Sequence, residues 1–204
     1  MLATRGITCQ WGYMVAAELP EDRDGFRFRG GSNVIDLPAT LQARLSATPR
    51  ELLATPEDLG RWLISAGMAQ TGLKPSAKDL AAARLLREAI YLLAGARRGA
   101  KAEAARETMN RIAAGAAAVP QLGNDGTVHL EGSANALLVT LARDAVRLFG
   151  SGAVKRLRKC QSPACTLYFI DTSRRGDRRW CSMSACGNKA KVDEFRRRQR
   201  AGDT

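Results

Sequence analysis

Apolar residues recur at helical spacing through most of residues 26–150. Leu59, Trp62, Leu63 and Ala66 form one stripe. Leu86, Ile90 and Leu93 form a second, and Leu137, Leu138, Leu141, Ala145 and Leu148 a third. Each stripe has a start signal. Thr55-Pro56-Glu57-Asp58 offers a capping hydroxyl, a proline suited to the first helical position and two acids that complement the helix N-terminus. Ser76 with Asp79 opens a helix predicted to run to about Arg98, and Ser133 opens the last clear one. An Ala-rich helix is predicted from Lys101 to Ala118, stopped by Pro120. Strand signals are sparser. Phe26-Arg27-Phe28-Arg29 alternates, Gly30-Gly31 breaks the run, and Val34–Leu37 is read as a second strand. Residues 122–130 read as a hairpin turning on Asn124-Asp125-Gly126. Residues 1–25 lack periodicity and are expected to be poorly ordered or variable. Gly150-Ser151-Gly152 is the strongest boundary in the chain.

Charge divides the chain at the same place. Residues 1–150 carry 18 basic and 15 acidic side chains, whereas residues 151–204 carry 14 and 5. Three quarters of the net +12 therefore lies in about a quarter of the length, which points to an anionic partner for the C-terminal part. The chain has no apolar run long enough to cross a membrane and no signal-like N-terminus, so a cytoplasmic protein with no membrane partner is expected.

The cysteines follow the charge. Cys9 stands alone and reads as a spare thiol, whereas Cys160-x4-Cys165 and Cys181-x4-Cys186 form two close pairs joined by a 15-residue spacer. Two such pairs suit a tetrahedral zinc site, because each turn aims two sulfurs inward and the spacer lets the turns face each other. Disulfides would need an oxidising compartment, and four free buried thiols would need a less polar segment. Zinc is the reading taken: one structural ion on Cys160, Cys165, Cys181 and Cys186, with no coordination position left for catalysis. The expected fold class is α+β. A mainly helical domain over 26–150, with a small β element, precedes a small four-cysteine zinc-finger module over 151–204.

The residues around the pairs carry a resemblance. Leu157-Arg158-Lys159-Cys160, Phe169–Arg174, Arg178-Arg179-Trp180-Cys181-Ser182-Met183 and Cys186-Gly187-Asn188-Lys189-Ala190-Lys191 closely resemble the CGNR zinc finger. That finger is the C-terminal module of a bacterial family named for stress-induced transcription regulation. Phe26–Gly31 with Asp36, and Glu51–Leu59 followed by Trp62-Leu63, look like the opening of the family's N-terminal ABATE domain. The resemblance implies zinc on the four cysteines, DNA binding by the finger and ligand sensing by the N-terminal domain. In one departure, Lys189 stands where the family has its name-giving arginine, so charge is kept but a bidentate fork is lost.

The basic residues have two readings. Arg174, Arg175, Arg178 and Arg179 make either a phosphate clamp or a set of donors that neutralise the anionic zinc–thiolate centre. Lys189, Lys191, Arg196 and Arg200, on a helix predicted after Cys186, are the other candidate nucleic-acid contacts. On that helix Val192, Phe195 and Gln199 share a face. Trp180, Tyr168 and Phe169 are either base-stacking platforms or the finger's own small core. The function expected is a transcription regulator with DNA as partner and an N-terminal part that senses a small-molecule effector or forms a homodimer. An RNA- or protein-binding module is the alternative. No nucleophile motif, histidine–carboxylate set or cofactor loop suggests an enzyme; His129 is the only histidine.

Overall fold

The computed structural model describes residues 20–70 and 72–202; Cys9 lies outside them. Strands β1 (Asp22–Arg23) and β2 (Phe26–Arg27) form an antiparallel hairpin. Its turn places Asp24 and Gly25 at positive φ (48° and 80°), the conformation an Asp-Gly pair tolerates. The expectation of little order through residue 25 is therefore corrected for Asp22–Gly25.

The strand expected over Val34–Leu37 is also corrected. This stretch is helix α1 (Asn33–Asp36), followed by a 3-10 turn over Leu37–Thr40. The Ser32 hydroxyl accepts from the Val34 N–H at 3.3 Å and caps the helix. The buried Asp36 carboxylate accepts from the Gly30 N–H at 2.6 Å and folds the preceding chain back onto it. Only glycine fits at position 30, because a Cβ there would lie 2.7 Å from Ile35 Cγ2.

A second small hairpin, β3 (Leu41–Gln42) with β4 (Arg50–Glu51), leads into the helices. Glu51 accepts two hydrogen bonds from the buried Arg87 guanidinium, at 2.6 and 2.8 Å, and so ties the hairpin to the long helix. Helices α2 (Pro56–Ser65) and α3 (Ala77–Gly95) start where the sequence signals place them, each with a complete capping box on Asp58 or Asp79. α4 (Ala100–Ala113) ends five residues before the expected stop. The reason is tertiary. Arg143 donates to the carbonyls of Ala113 and Gly115, and Gly115 lies so close to Val139 that a Cβ would approach within 2.9 Å. The freed residues lead into the hairpin β5 (Val119–Leu122) and β6 (Val128–Glu131), which is longer than expected and carries His129. α5 (Ala134–Gly150) follows, capped by Ser133. α2, α3, α4 and α5 enclose one core centred on Trp62, Leu86, Ile90, Leu137, Leu138 and Leu141, all fully buried.

The chain does not slacken after α5. Ser151 donates to the Leu148 carbonyl and accepts from the Ala153 N–H, leading directly into a 3-10 turn over Gly152–Arg156. Strand β7 (Leu157–Lys159), which the sequence reading did not anticipate, then pairs with β8 (Tyr168–Ile170). Successive strand residues point to opposite faces. Tyr168 and Ile170 join the helical core, while the fully buried Phe169 joins a second cluster with Ala39, Leu167, Cys160 and Cys181. The Ile170 N–H donates to the Gly30 carbonyl at 2.8 Å, and Tyr168 packs edge-on against Tyr91 of α3. The short β8 thus belongs to both parts of the molecule. Among the described residues no helix is long and apolar enough to cross a membrane.

Asp36 is the titratable group most deeply committed to this arrangement. Burial raises its pKa to about 7, against the opposing pull of backbone N–H donors and Arg23. An acid raised in the folded state contributes stability below its unfolded pKa and loses it as pH rises through the folded value. Between about pH 4 and 7 the protein should therefore lose stability through this group. Asp36→Asn should remove that part of the pH dependence. Melting curves of both proteins across this range test it, and parallel profiles would refute the assignment.

Candidate metal centre

Each cysteine is delivered by a local device. Cys160 directly follows β7, and its N–H donates to the Leu167 carbonyl at 2.9 Å. Cys165 closes a turn through its N–H to the Ser162 carbonyl, also at 2.9 Å. The two arms are laced together where Gln161 N–H meets the Arg179 carbonyl at 3.0 Å. Beyond Cys181, Ser182 caps a wide turn over Met183–Gly187 that carries Cys186. Gly187 is buried at its end, where a Cβ would lie 2.8 Å from Met183 Sδ. α6 (Asn188–Gly202) starts at once, so Cys186 sits just before a helix N-terminus, as the sequence reading expected.

The four Sγ atoms lie within 4.8 Å of one another, with Cys165–Cys181 at 3.8 Å and Cys181–Cys186 at 3.7 Å. Disulfide bonding requires about 2.05 Å, and all four thiols are free. A tetrahedron of sulfurs about 2.3 Å from a zinc ion has edges of about 3.8 Å. The donor chemistry fits as well as the spacing. Hydrogen bonds from Cys165 and Cys181 hold the Cys160 thiol far down, at about 2. Its proximity in turn pushes Cys165 up to about 11 and Cys181 further upward. Thiols this close cannot all ionise unless a cation sits among them. A zinc ion held by Cys160, Cys165, Cys181 and Cys186 would supply that charge, and four sulfur ligands would leave no open position for water or substrate.

The surrounding polar groups hold the frame. Asp171, fully buried, accepts from the N–H groups of Ser173 and Arg178 and so folds the arginine-rich turn. Arg156 braces the same turn through the carbonyls of Asp171 and Ser173. Glu21, from the segment leading into β1, accepts from the hydroxyls of Ser182 and Ser184 at 2.5 and 3.0 Å. The sequence reading missed Glu21, Gln161 and the role of Asp171. Asp171-x-Ser173 does carry a local turn signature. Glu21 carries none, because its partner lies 161 residues away.

The structure divides the predicted basic residues. Arg178 turns inward: its Nε donates to the Trp180 carbonyl at 2.8 Å, another nitrogen reaches the Cys181 carbonyl, and the guanidinium lies 4.9 Å from the Phe169 ring centre. That places a fixed positive charge beside a site where four thiolates and a bound Zn²⁺ would sum to −2. Arg179 bonds Gln161 Oε1 and lies over Trp180. Arg174 and Arg175 stand exposed on the turn. Lys189, Lys191, Arg196 and Arg200 are exposed along α6. The aromatics serve as core. Phe169 is fully buried, Tyr168 packs on Tyr91, and Trp180 is half-buried beside Gly187.

Zinc binding should be stoichiometric, one ion per chain by metal analysis, and Cys181→Ser should abolish retention through dialysis. Because β8 is shared, chelation should raise amide exchange in residues 157–187 and also at Gly30–Ile35. Protection retained at Gly30–Ile35 would show that the two regions touch without being coupled.

Comparison with known families agrees with this geometry. Residues 31–152 match the ABATE family, described as "Putative stress-induced transcription regulator", and residues 156–199 match the CGNR zinc finger. No curated protein matches the chain. The first match spans more than half the sequence and the second encloses all four cysteines, so the chain belongs to the ABATE family and ends in a CGNR zinc finger.

Proposed function

We propose that the protein is a cytoplasmic transcription regulator, without enzymatic activity, that binds duplex DNA through its zinc-ordered C-terminal segment. One observation carries this reading: α6 leaves the metal centre as a basic helix exposed on every side from Lys191 to Arg200. A helix this polar has little reason to be ordered alone. Zinc, the wide turn and the Ser182 cap fix its first turn and hence its direction. Lys189, Lys191, Arg196 and Arg200, with Arg174 and Arg175 on the neighbouring turn, then serve as phosphate contacts, releasing counterions on binding. Arg178 and Arg179 act indirectly by bracing the knuckles.

The helical part is the sensing or dimerising half of this reading. Two adjoining clefts of about 360 and 290 Å³ run along α4 and α5 and share Asn110 and Val146. Arg97, Arg106 and Phe149 border the second, which is the candidate place for an effector in this reading.

Fluorescent duplex DNA titrated with the full chain at several salt concentrations tests the proposal. Zinc-loaded protein should bind with steeply salt-dependent affinity, and chelated protein should bind weakly. Reversing both Arg196 and Arg200 to Glu should lower affinity for every sequence at least tenfold and reduce the salt slope by about 2. Unchanged affinity in the double variant would remove α6 from the interface. Binding of single-stranded RNA in preference to duplex would replace DNA as the partner.

A further inference from the structure

Helix α6 carries more than charge. At about 100° per residue, Val192, Phe195 and Gln199 fall within an arc of about 60°. Arg196, Lys189 and Arg200 line one side of that arc, and Lys191 and Arg198 line the other. The acidic Asp193 and Glu194 lie outside the strip; Glu194 pairs with Arg198 one turn further on. The result is an apolar-and-amide strip between two basic margins.

The strip belongs to no core. Val192 is 47% and Phe195 63% exposed, and Gln199 is exposed as well. What covers the strip is constrained by its margins. A second copy of this helix would bring like charges together on both sides. An acidic polymer matches both margins at once. The shape selects among polyanions. An α-helix fits the roughly 12 Å major groove of B-form DNA, where flanking cations meet the phosphates of both walls and the central side chains meet base edges. The major groove of A-form RNA is too narrow to admit it.

The central residues also have a defined chemistry. A glutamine amide can donate to adenine N7 and accept from adenine N6, and apolar side chains pack against the thymine methyl group. From Val192 to Gln199 the helix rises about 10 Å, the length of about three base-pair steps. We propose that Val192, Phe195 and Gln199 read sequence in the DNA major groove and select a short run of A·T pairs, while the lysines and arginines on either side hold the phosphates. This inference rests on the DNA-binding function proposed above and goes beyond it by separating the residues that specify from those that attract.

Selection of bound sequences from a random duplex library, using the zinc-loaded full chain, is the first step. The enriched sequences should share about three consecutive A·T pairs. Phe195→Ala and Gln199→Ala change only exposed side chains, so folding and zinc content, checked by circular dichroism and metal analysis, should be unaffected. Each variant should keep the salt slope of the unmodified protein on unselected duplex, because no phosphate contact is removed. Each should lose about tenfold or more of the preference for the selected sequence. A preference that survives both substitutions would place base reading elsewhere. Enrichment of G·C-only sites, or no enrichment despite salt-dependent duplex binding, would overturn the strip as an A·T reader while leaving the DNA function standing. Failure of the unmodified protein to bind any duplex would remove the DNA function and this inference together.

Discussion

Four thiols held within 4.8 Å are incompatible with one another as anions, and the C-terminal quarter of the molecule is arranged around that conflict. Without a cation, one sulfur takes the charge and its neighbours are driven to keep their protons. With a cation, all four ionise and the two knuckles are drawn to one point. The segment has few apolar residues of its own to fold upon. Its own buried apolar cluster comprises Phe169, Leu167, two of the cysteines and Ala39, which is borrowed from the other part of the chain. So small a cluster stabilises far less than ordering about fifty residues costs. A metal held by the four sulfurs would pin the two knuckles to one point, beside the turn that Asp171 folds and the cap that Ser182 makes.

The second dependence runs the other way, from the helical core to the finger. Tyr168 and Ile170 take their places among the residues of the large core, and Glu21 reaches across to the cap of the second knuckle. A three-residue strand would be marginal by itself. It persists because one of its faces completes the core and the other covers the sulfurs.

The features that were legible in the sequence are those decided locally. Thr55, Ser76 and Ser133 each find their partners within three residues, so the starts of α2, α3 and α5 could be read directly. The four cysteines were legible for a similar reason, since each pair forms a single turn. Two misread features are decided by distant residues: α4 ends where Arg143 of α5 captures its carbonyls, and β7 forms against a strand beyond the first knuckle. α1 was misread despite a local signal, because its apolar run of Val34, Ile35 and Leu37 looks like a strand while the Ser32 cap starts a helix. At the site, Arg178 and Arg174 look alike in sequence. They part company because the buried carboxylate of Asp171 fixes the turn with one guanidinium inward and the other outward.

The bond from Ile170 to the Gly30 carbonyl bears on how such proteins can be rearranged. Zinc fingers are often treated as interchangeable cassettes. Here the cassette's edge is a surface that another part of the chain must match. The Gly30 carbonyl receives the Ile170 N–H, Gly95 leaves room for the Tyr168 hydroxyl, and Tyr91 meets its ring. A finger transplanted onto a different helical domain would lose its seat. Recombination at Gly150–Gly152 therefore divides the sequence at its clearest boundary but cuts across a joint in the structure. Changes at Tyr91 and Gly95 are bound to those at Tyr168.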